Sequence, residues 1–453
     1  MLQGRKFVIA ALCLAWVWLA QGSAQASEPM ILEQVRLLDP DQGSVSEPVD
    51  LGIMHGAITA ADDLPEDAKR VLASGLYVMP GLAEMHAHVP PMRAGQQQIE
   101  DVMILYLAHG ITTIRGMLGE SGHLVLREQL ANGELIGPRL ITSGPSFNAN
   151  SVASPAAAAD KVRAQSEAGY DLLKLHPGLW PEAFRAIAET AEALGIDYCG
   201  HISVAVGLDR VLASRQGSID HLDGYGEALV PADHALFGTT PGLFAINLVP
   251  GMDRALIPEL ARRTVEAGIA NVPTQSLLEN WATGDVDALM ARPAMRWMPM
   301  ATREQWQENL ARIRGQIPDG HAEPFIEIRR ELLAELHAAG ALILLGADAP
   351  QIFNVPGDSV HHELEIYVDV GMSPAEALAT GTTNVARYLD QAERHGCLQP
   401  GCIADLIVLR SNPFENIRHI REIEGVMRAG RWFDRATLDR MLNEIEQRAS
   451  GKP

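Results

Sequence analysis

Two histidines separated by one residue end the sequence PGLAEMHAH at positions 80–88. Residues two apart in a β-strand point to the same side of the sheet. The imidazoles of His86 and His88 can therefore bind one metal ion, at ligand distances of about 2.0–2.1 Å. An isolated His-x-His pair is weak evidence, so a metal site depends on what other segments contribute.

Four more residues suited to metal binding or proton transfer follow later apolar segments: Lys174, His201, His221 and Asp348. A lysine at the end of an apolar strand is costly to bury as a bare cation. One such polar residue is usually a satisfied structural group. Several of them in separate segments are hard to explain as packing and predict a shared metal site with acid–base chemistry.

The segments that carry these residues alternate with longer amphipathic segments of helical spacing. Eight short apolar segments are predicted as strands, at 82–88, 111–117, 139–143, 171–176, 197–203, 218–225, 269–275 and 341–348. Strands that alternate with helices predict a parallel sheet, so the fold class is α/β. Eight units over about 310 residues predict a (β/α)8 TIM barrel with insertions, whose strand ends meet at one mouth.

Short β-like segments at both chain ends predict a second, smaller unit. We expect a β-sandwich domain formed from residues 27–78 and 396–436, a barrel at 79–395 and a helical tail at 437–453. Residues 276–340 are long for a connection between two barrel strands. They form either a lid over the mouth or extra helices packed outside, with their aromatic side chains as a core.

Residues 1–26 have the three-part pattern of a secretory signal peptide. Arg5 and Lys6 precede an apolar run at 7–20, and Ala24-Gln25-Ala26 resembles a cleavage site. The alternative is a membrane anchor, but the run is shorter than the ~20 residues that a bilayer span needs. We expect an exported protein, periplasmic or secreted, without a stable membrane anchor after cleavage.

The net charge limits the kinds of partner that the protein can bind. The 453 residues contain 36 Lys+Arg and 57 Asp+Glu, a net charge of −21, which argues against a nucleic-acid partner. A small-molecule substrate is expected, and homo-oligomer formation is left open.

Cys13 would leave with the signal peptide. Cys397 and Cys402 flank a turn sequence and form either a disulfide or two buried thiols.

On these motifs the chain resembles the amidohydrolase superfamily of metal-dependent hydrolases. The resemblance covers nearly all of the chain after residue 26 and includes PGCIADLIVL at 400–409 and TTNVAR at 382–387. Within the superfamily the chain is most similar to the imidazolonepropionase-like and Xaa-Pro dipeptidase (prolidase)-like branch. The segments IDHLDGY at 219–225 and HHEL at 361–364 carry that narrower likeness.

The resemblance implies two divalent metal ions, with zinc expected and manganese, iron or cobalt as alternatives. The implied ligands are His86, His88 and Asp348 for the more buried ion, His201 and His221 for the second, and Lys174 between them. Carbamylation by CO2 would make Lys174 an anionic bridging ligand. Asp348 would take the proton of a metal-activated hydroxide and pass it to the leaving group.

Three further residues are candidates for substrate contacts. Tyr225 would bind the scissile carbonyl or its oxyanion at the mouth, or it is a packed aromatic. His361 would contact substrate or cap the helix that begins nearby. Arg115 would face the barrel interior and meet a substrate carboxylate, or it forms a structural ion pair.

The expected function is hydrolysis of an amide C–N bond in a small substrate such as a dipeptide or an N-acyl amino acid. The alternative is a lactone, ester or cyclic-amide hydrolase that uses the same metal site. A deaminase is disfavoured because such enzymes typically place Glu three residues after the fifth-strand histidine, where this chain has Val204. A binding protein that has lost catalysis is disfavoured by the intact Asp348.

Overall fold

The computed structural model describes residues 28–451, so the expected signal segment 1–26, including Cys13, lies outside the described residues. Within them, β-strands dominate both chain ends and alternate with helices in between. The strands are β1 Met30–Asp39, β2 Ser44–Val45, β3 Val49–Met54, β4 Ala57–Ala60, β5 Lys69–Leu72, β6 Tyr77–Pro80, β7 Leu82–Ala87, β8 Ile111–Gly116, β9 Arg139–Thr142, β10 Leu172–Leu175, β11 Asp197–Gly200, β12 Ser218–Asp220, β13 Ala270–Val272, β14 Leu406–Leu409, β15 Ile423–Arg428 and β16 Arg431–Asp434.

The helices lie mostly between the central strands. They are α1 Gln96–Ala108, α2 Ser121–Ala131, α3 Pro155–Ala168, α4 Pro181–Leu194, α5 Leu208–Leu212, α6 Tyr225–Ala228, α7 Ile257–Ala267, α8 Gln275–Ala282, α9 Val286–Met290, α10 Met300–Arg314, α11 Ala322–Ala338, α12 Asp358–Asp369, α13 Pro374–Ala379, α14 Thr383–Tyr388 and α15 Arg435–Ala449. Local sequence sets several boundaries. The Ser154 side chain caps the start of α3, and Gly195 in the left-handed conformation ends α4.

Strands from both chain ends form one connected sheet of order β16-β15-β14-β6-β1-β3-β4, with β2 and β5 paired to β1. The link between the two ends is the antiparallel pairing of β6 with β14, from Tyr77 opposite Leu409 to Pro80 opposite Leu406. Within this sheet, β3 and β4 form a hairpin. His55 and Gly56, both with positive φ, form its turn.

The central strands are parallel and form two groups, β7-β8-β9 and β10-β11-β12-β13. Together with the intervening helices they give an α/β fold, as the sequence predicts. A parallel bridge from Ser143 to Leu172 connects the two groups, and Ile343 forms a parallel bridge to Asn271. All six residues of β7 are buried, which is typical of a parallel strand covered on both faces.

Residues 276–340 fold largely as helices α8 to α11, and their tryptophan side chains are buried. Trp281, Trp297 and Trp306 are between 2% and 7% exposed and belong to the main hydrophobic core. This arrangement matches extra helices with an aromatic core, the second of the two alternatives. Cys397 and Cys402 form a disulfide, with their Cα atoms 6.0 Å apart. No helix in the described part of the chain is long and apolar enough to cross a membrane.

Candidate metal centre

Polar side chains from separate parallel strands meet at the carboxyl ends of those strands. His86 lies near the end of β7, His221 directly follows β12, and Asp348 follows the segment that bridges β13. One ligand atom from each of these three residues lies within 4.8 Å of the other two, and all three side chains are buried. The structure therefore brings three of the predicted ligands together around one point.

Asp348 is the centre of this group. Its Oδ1 lies 2.7 Å from Nε2 of His88 and 3.7 Å from Nε2 of His86. Its Oδ2 lies 3.9 Å from Nδ1 of His221. Gln351 also donates a hydrogen bond from Nε2 to Oδ1, at 2.7 Å. The Oδ1 atom is thus held by neighbours, while Oδ2 makes the longer contact.

His201 extends the group on the side of His221. The two ring centroids are 4.5 Å apart, and the His176 ring stacks on the other side of His201 at 5.0 Å. Nδ1 of His201 donates to Oδ2 of Asp223 at 2.7 Å. Because Nδ1 carries the proton, Nε2 of His201 is left as the basic nitrogen, the form in which histidine binds metals.

Lys174 is fully buried at the end of β10. Its Nζ lies 3.4 Å from Nε2 of His86 and 3.6 Å from Oδ2 of Asp220. Each of the six predicted metal-site residues therefore contacts at least one other member of the set. Lys174 thus lies beside His86 at the edge of the ligand cluster.

Two of these residues have an unusual backbone. His221 and Asp348 both have a φ of 62°, in the left-handed region that non-glycine residues rarely occupy. Such conformations persist only where the surrounding structure enforces them, and they cluster at functional sites. Here each one redirects the chain at the point where a strand segment ends.

Several supporting residues were not predicted to have this role from the sequence. Oε1 of the fully buried Glu84 accepts hydrogen bonds from the backbone N–H groups of Ala347 and Ala349, on both sides of Asp348. Thr274 contacts Nδ1 of His221 through its hydroxyl at 2.8 Å. The only sequence signal for Glu84 was its position two residues before His86.

The donor set fits a divalent metal ion. Burial holds the pKa of His86 well below its ordinary value. Burial, together with the neighbouring His86, does the same to the pKa of His221. Both imidazoles are therefore neutral and have a lone pair to share. Neutral imidazoles together with a carboxylate are ligands for zinc and similar transition metals.

An aromatic side chain lies beside the centre. The Phe244 ring is 5.5 Å from the His221 ring and 5.8 Å from the Trp281 ring of α8. Phe244 and Ala245 have positive φ values of 50° and 67°, so this part of the loop between β12 and β13 is tightly constrained. The loop that contains Phe244, supported by α8 of the 276–340 segment, thus approaches the ligands from one side.

A profile of the amidohydrolase family matches residues 77–433, well over half of the chain. The chain belongs to the amidohydrolase family. This confirms the resemblance stated from the motifs. It also agrees with the expected enzyme class, a hydrolase that acts on carbon–nitrogen bonds.

Individual relatives are more distant. The chain is 28% identical to the ochratoxinase of Aspergillus niger over 163 residues, which is 36% of this chain and 28% of that protein. The alignment thus spans less than a third of that relative. The solved A. niger ochratoxinase superposes with a TM-score of 0.62 at 18% identity, over 90% of this chain and 96% of that one.

Two further solved structures have the same fold. A bottromycin amidohydrolase gives a TM-score of 0.71 at 23% identity, over 94% of this chain and 92% of that one. A Xaa-Pro dipeptidase with bound methionine gives 0.66 at 18% identity, over 90% and 100%. At these identities the likeness concerns the fold.

The three predicted substrate residues lie elsewhere. Tyr225 is fully buried, and its hydroxyl is hydrogen-bonded with Thr264 of α7 at 2.8 Å and with Asn271 of β13 at 3.2 Å. The expected position at the mouth was wrong, because the chain turns at His221 and Tyr225 begins α6. It is the packed aromatic of the alternative interpretation.

Arg115 does face the interior, but its guanidinium is already paired. It is 1% exposed and donates to the Met85 carbonyl at 2.6 Å and to Ser218 at 3.0 Å. It also pairs with Oδ1 of Asp220 at 3.4 Å. Nη1 donates to the Tyr388 hydroxyl at 3.2 Å, so every guanidinium nitrogen already has a protein partner, as expected for the structural ion pair.

His361 also lies away from the metal ligands. It is 1% exposed on α12, and its Nε2 lies 2.9 Å from the carbonyl oxygen of His109, the residue that ends α1. In this position His361 neither contacts the metal centre nor caps its own helix. The side chain instead satisfies a carbonyl at the end of a neighbouring helix.

Proposed function

We propose that this chain is an exported, binuclear metal-dependent hydrolase that cleaves an amide C–N bond of a small substrate, such as a dipeptide or an N-acyl amino acid. The observation that carries the proposal is the cluster of His86, His221 and Asp348 within 4.8 Å, with Lys174 3.4 Å from His86. The names of the relatives, a Xaa-Pro dipeptidase and an amidohydrolase among them, support an amide substrate.

The proposed cofactor is a pair of divalent ions, with zinc expected. His86, His88 and Asp348 would hold the more buried ion, and His201 and His221 the second. Lys174, carbamylated by CO2, would bridge them as an anion. Its full burial supports this modification, because an unmodified ammonium there has Asp220, 3.6 Å away, as its nearest carboxylate.

When bound, the ions would supply an activated water and would polarise the substrate carbonyl. Asp348 then accepts the proton of the attacking water at its carboxylate and donates it to the leaving nitrogen. Water adds its oxygen to the carbonyl carbon and its protons to the products, so one amide gives one carboxylic acid and one amine. Glu84 supports this transfer by fixing the backbone on both sides of Asp348.

The proposed architecture is a closed (β/α)8 barrel at 79–395, with a β-sandwich domain from 27–78 and 396–436 and a helical tail at 437–453. Hydrogen bonds from the Asn271 N–H to the Leu342 carbonyl and from the Met85 N–H to the Leu345 carbonyl support closure by the eighth segment. Pairing of β6 with β14 supports a domain assembled from both chain ends.

Export is proposed from the signal-like residues 1–26, and the Cys397–Cys402 disulfide supports an oxidising compartment, periplasmic or extracellular. The test of function is a hydrolysis screen of the zinc-loaded full chain with dipeptides, N-acyl amino acids, lactones and esters. Cleavage of the first two classes is the expected result. Turnover of lactones or esters alone would replace the proposal with the alternative function.

A further inference from the structure

A cavity of about 370 Å³ adjoins the metal centre, with His88 in its wall. The volume falls within the range of small-molecule sites. None of the three substrate residues predicted from the sequence lines this cavity. It therefore offers a way for the chain to recognise the part of a substrate that lies beside the reacting bond.

Half of the remaining lining residues are apolar, and three of these are prolines. Val89, Pro90, Pro91, Leu118 and Pro350 line the cavity. His123, which is 1% exposed, holds this wall in place because its Nε2 lies 3.2 Å from the Pro90 carbonyl oxygen. A preformed apolar wall favours an apolar group and reduces the entropy cost of binding it.

Two charged side chains of the wall determine which charge a ligand can carry. Arg93 is exposed at the cavity and forms no ion pair with any carboxylate of residues 28–451. Glu120 also lines the cavity, and its Oε1 accepts a hydrogen bond from the Met92 N–H at 2.5 Å. A ligand carboxylate can pair with Arg93. Because Arg93 and Glu120 carry opposite charges, the wall has one positive group for a carboxylate and no excess of positive charge for a second one.

We propose that this cavity binds the leaving amino acid of the substrate, an apolar residue whose single free carboxylate pairs with Arg93. The proposal rests on the proposed amide hydrolysis and specifies its substrates. These are dipeptides or N-acyl amino acids that end in an apolar residue. Acidic C-terminal residues and carboxamides are poor substrates.

The test compares glycyl-leucine and N-acetyl-leucine with their C-terminal carboxamides and with N-acetyl-glutamate. The wild-type chain should prefer the free carboxylate by about tenfold in kcat/KM. Arg93→Gln should remove that preference through KM and leave kcat within about twofold. Arg440→Gln is the matched control, because Arg440 is exposed on α15 and lines none of this cavity; it should retain the wild-type preference.

A second variant tests the apolar wall. Leu118 is 45% exposed, so Leu118→Trp should fold while reducing the cavity volume. It should raise KM for glycyl-leucine more than for glycyl-alanine. An unchanged carboxylate preference in Arg93→Gln would overturn the inference while the proposed function stands. Failure of the wild-type chain to cleave any dipeptide or N-acyl amino acid would overturn the proposed function itself.

Discussion

Oδ2 of Asp220 lies 2.9 Å from Nδ1 of His86. The two atoms are at ion-pair distance without the alignment of a hydrogen bond, so the carboxylate acts on the Nδ1 side of the ring through its charge. Nε2 of His86 faces Asp348 and Lys174. Although burial opposes it, the Arg115 charge and the hydrogen bond from Ser218 hold the pKa of Asp220 below its ordinary value. Asp220 is therefore an anion that orients a predicted metal ligand without being one.

Replacement of Asp220 should weaken metal binding. Asp220→Asn removes the negative charge beside Nδ1 of His86 and leaves Arg115 without its carboxylate partner. We expect a loss of about 10- to 100-fold in metal affinity, measured by chelator competition. Asp160→Asn, which breaks only the exposed pair with Arg163, is the control and should bind metal normally. Equal affinities in the two variants would refute the orienting role.

Asp348 should be essential for turnover. Asp348→Asn cannot accept the proton of the attacking water, so kcat should fall by roughly a hundredfold or more. Circular dichroism should match the wild-type spectrum, because Gln351 can still contact the amide. The assignment of Asp348 as the proton carrier would be abandoned if this variant retained kcat with its metal bound.

Lys174 should determine how many ions the chain holds. Metal analysis of the wild-type protein should give two ions per chain. Lys174→Ala removes the proposed bridge and should lower the content to one or none. Lys69→Ala, a change at an exposed position on β5, is the control and should keep both ions. A single ion in the wild-type chain, unaffected by Lys174→Ala, would contradict the binuclear centre.

Tyr225 should matter for stability and not for catalysis. Tyr225→Phe removes the hydroxyl that bonds with Thr264 and Asn271, which should lower the free energy of unfolding by about 1 kcal/mol. Because this hydroxyl is in the packed layer between α7 and β13, kcat should not change. Tyr170→Phe, at a hydroxyl without a side-chain hydrogen bond in residues 28–451, is the control for stability. A large fall in kcat for Tyr225→Phe would restore its predicted role at the oxyanion.

The pattern of strands was largely predictable because it depends on local periodicity. The observed strands β7 to β13 all lie inside the segments predicted at 82–88 through 269–275. The ligand-type residues follow from the same pattern, since parallel strands end at one edge of the sheet. The eighth segment, 341–348, joins its neighbours through isolated bridges instead of a regular strand.

The substrate contacts were not predictable because they depend on turns and on tertiary partners. The left-handed conformations of His221 and Leu222 end β12 five residues before Tyr225 and redirect the chain. The Arg115 side chain points inward as expected from strand alternation. Its partner Asp220, however, lies on a strand about a hundred residues later in the sequence. The cavity beside His88 brings together residues from three separate segments, and no local pattern encodes that.

The pairing of β6 with β14 has a consequence for how the protein is made. Pro80 and Leu406 are opposite each other across this pairing, although most of the chain separates them. A ribosome that has released residue 80 must synthesise the whole central α/β region before the partner strand emerges. The first sheet to begin is thus among the last to be completed. β1 finds its neighbours β3 and β6 within the first 80 residues, but β6 spends most of translation without its partner β14. A chaperone would be expected to bind at this unpaired edge of β6.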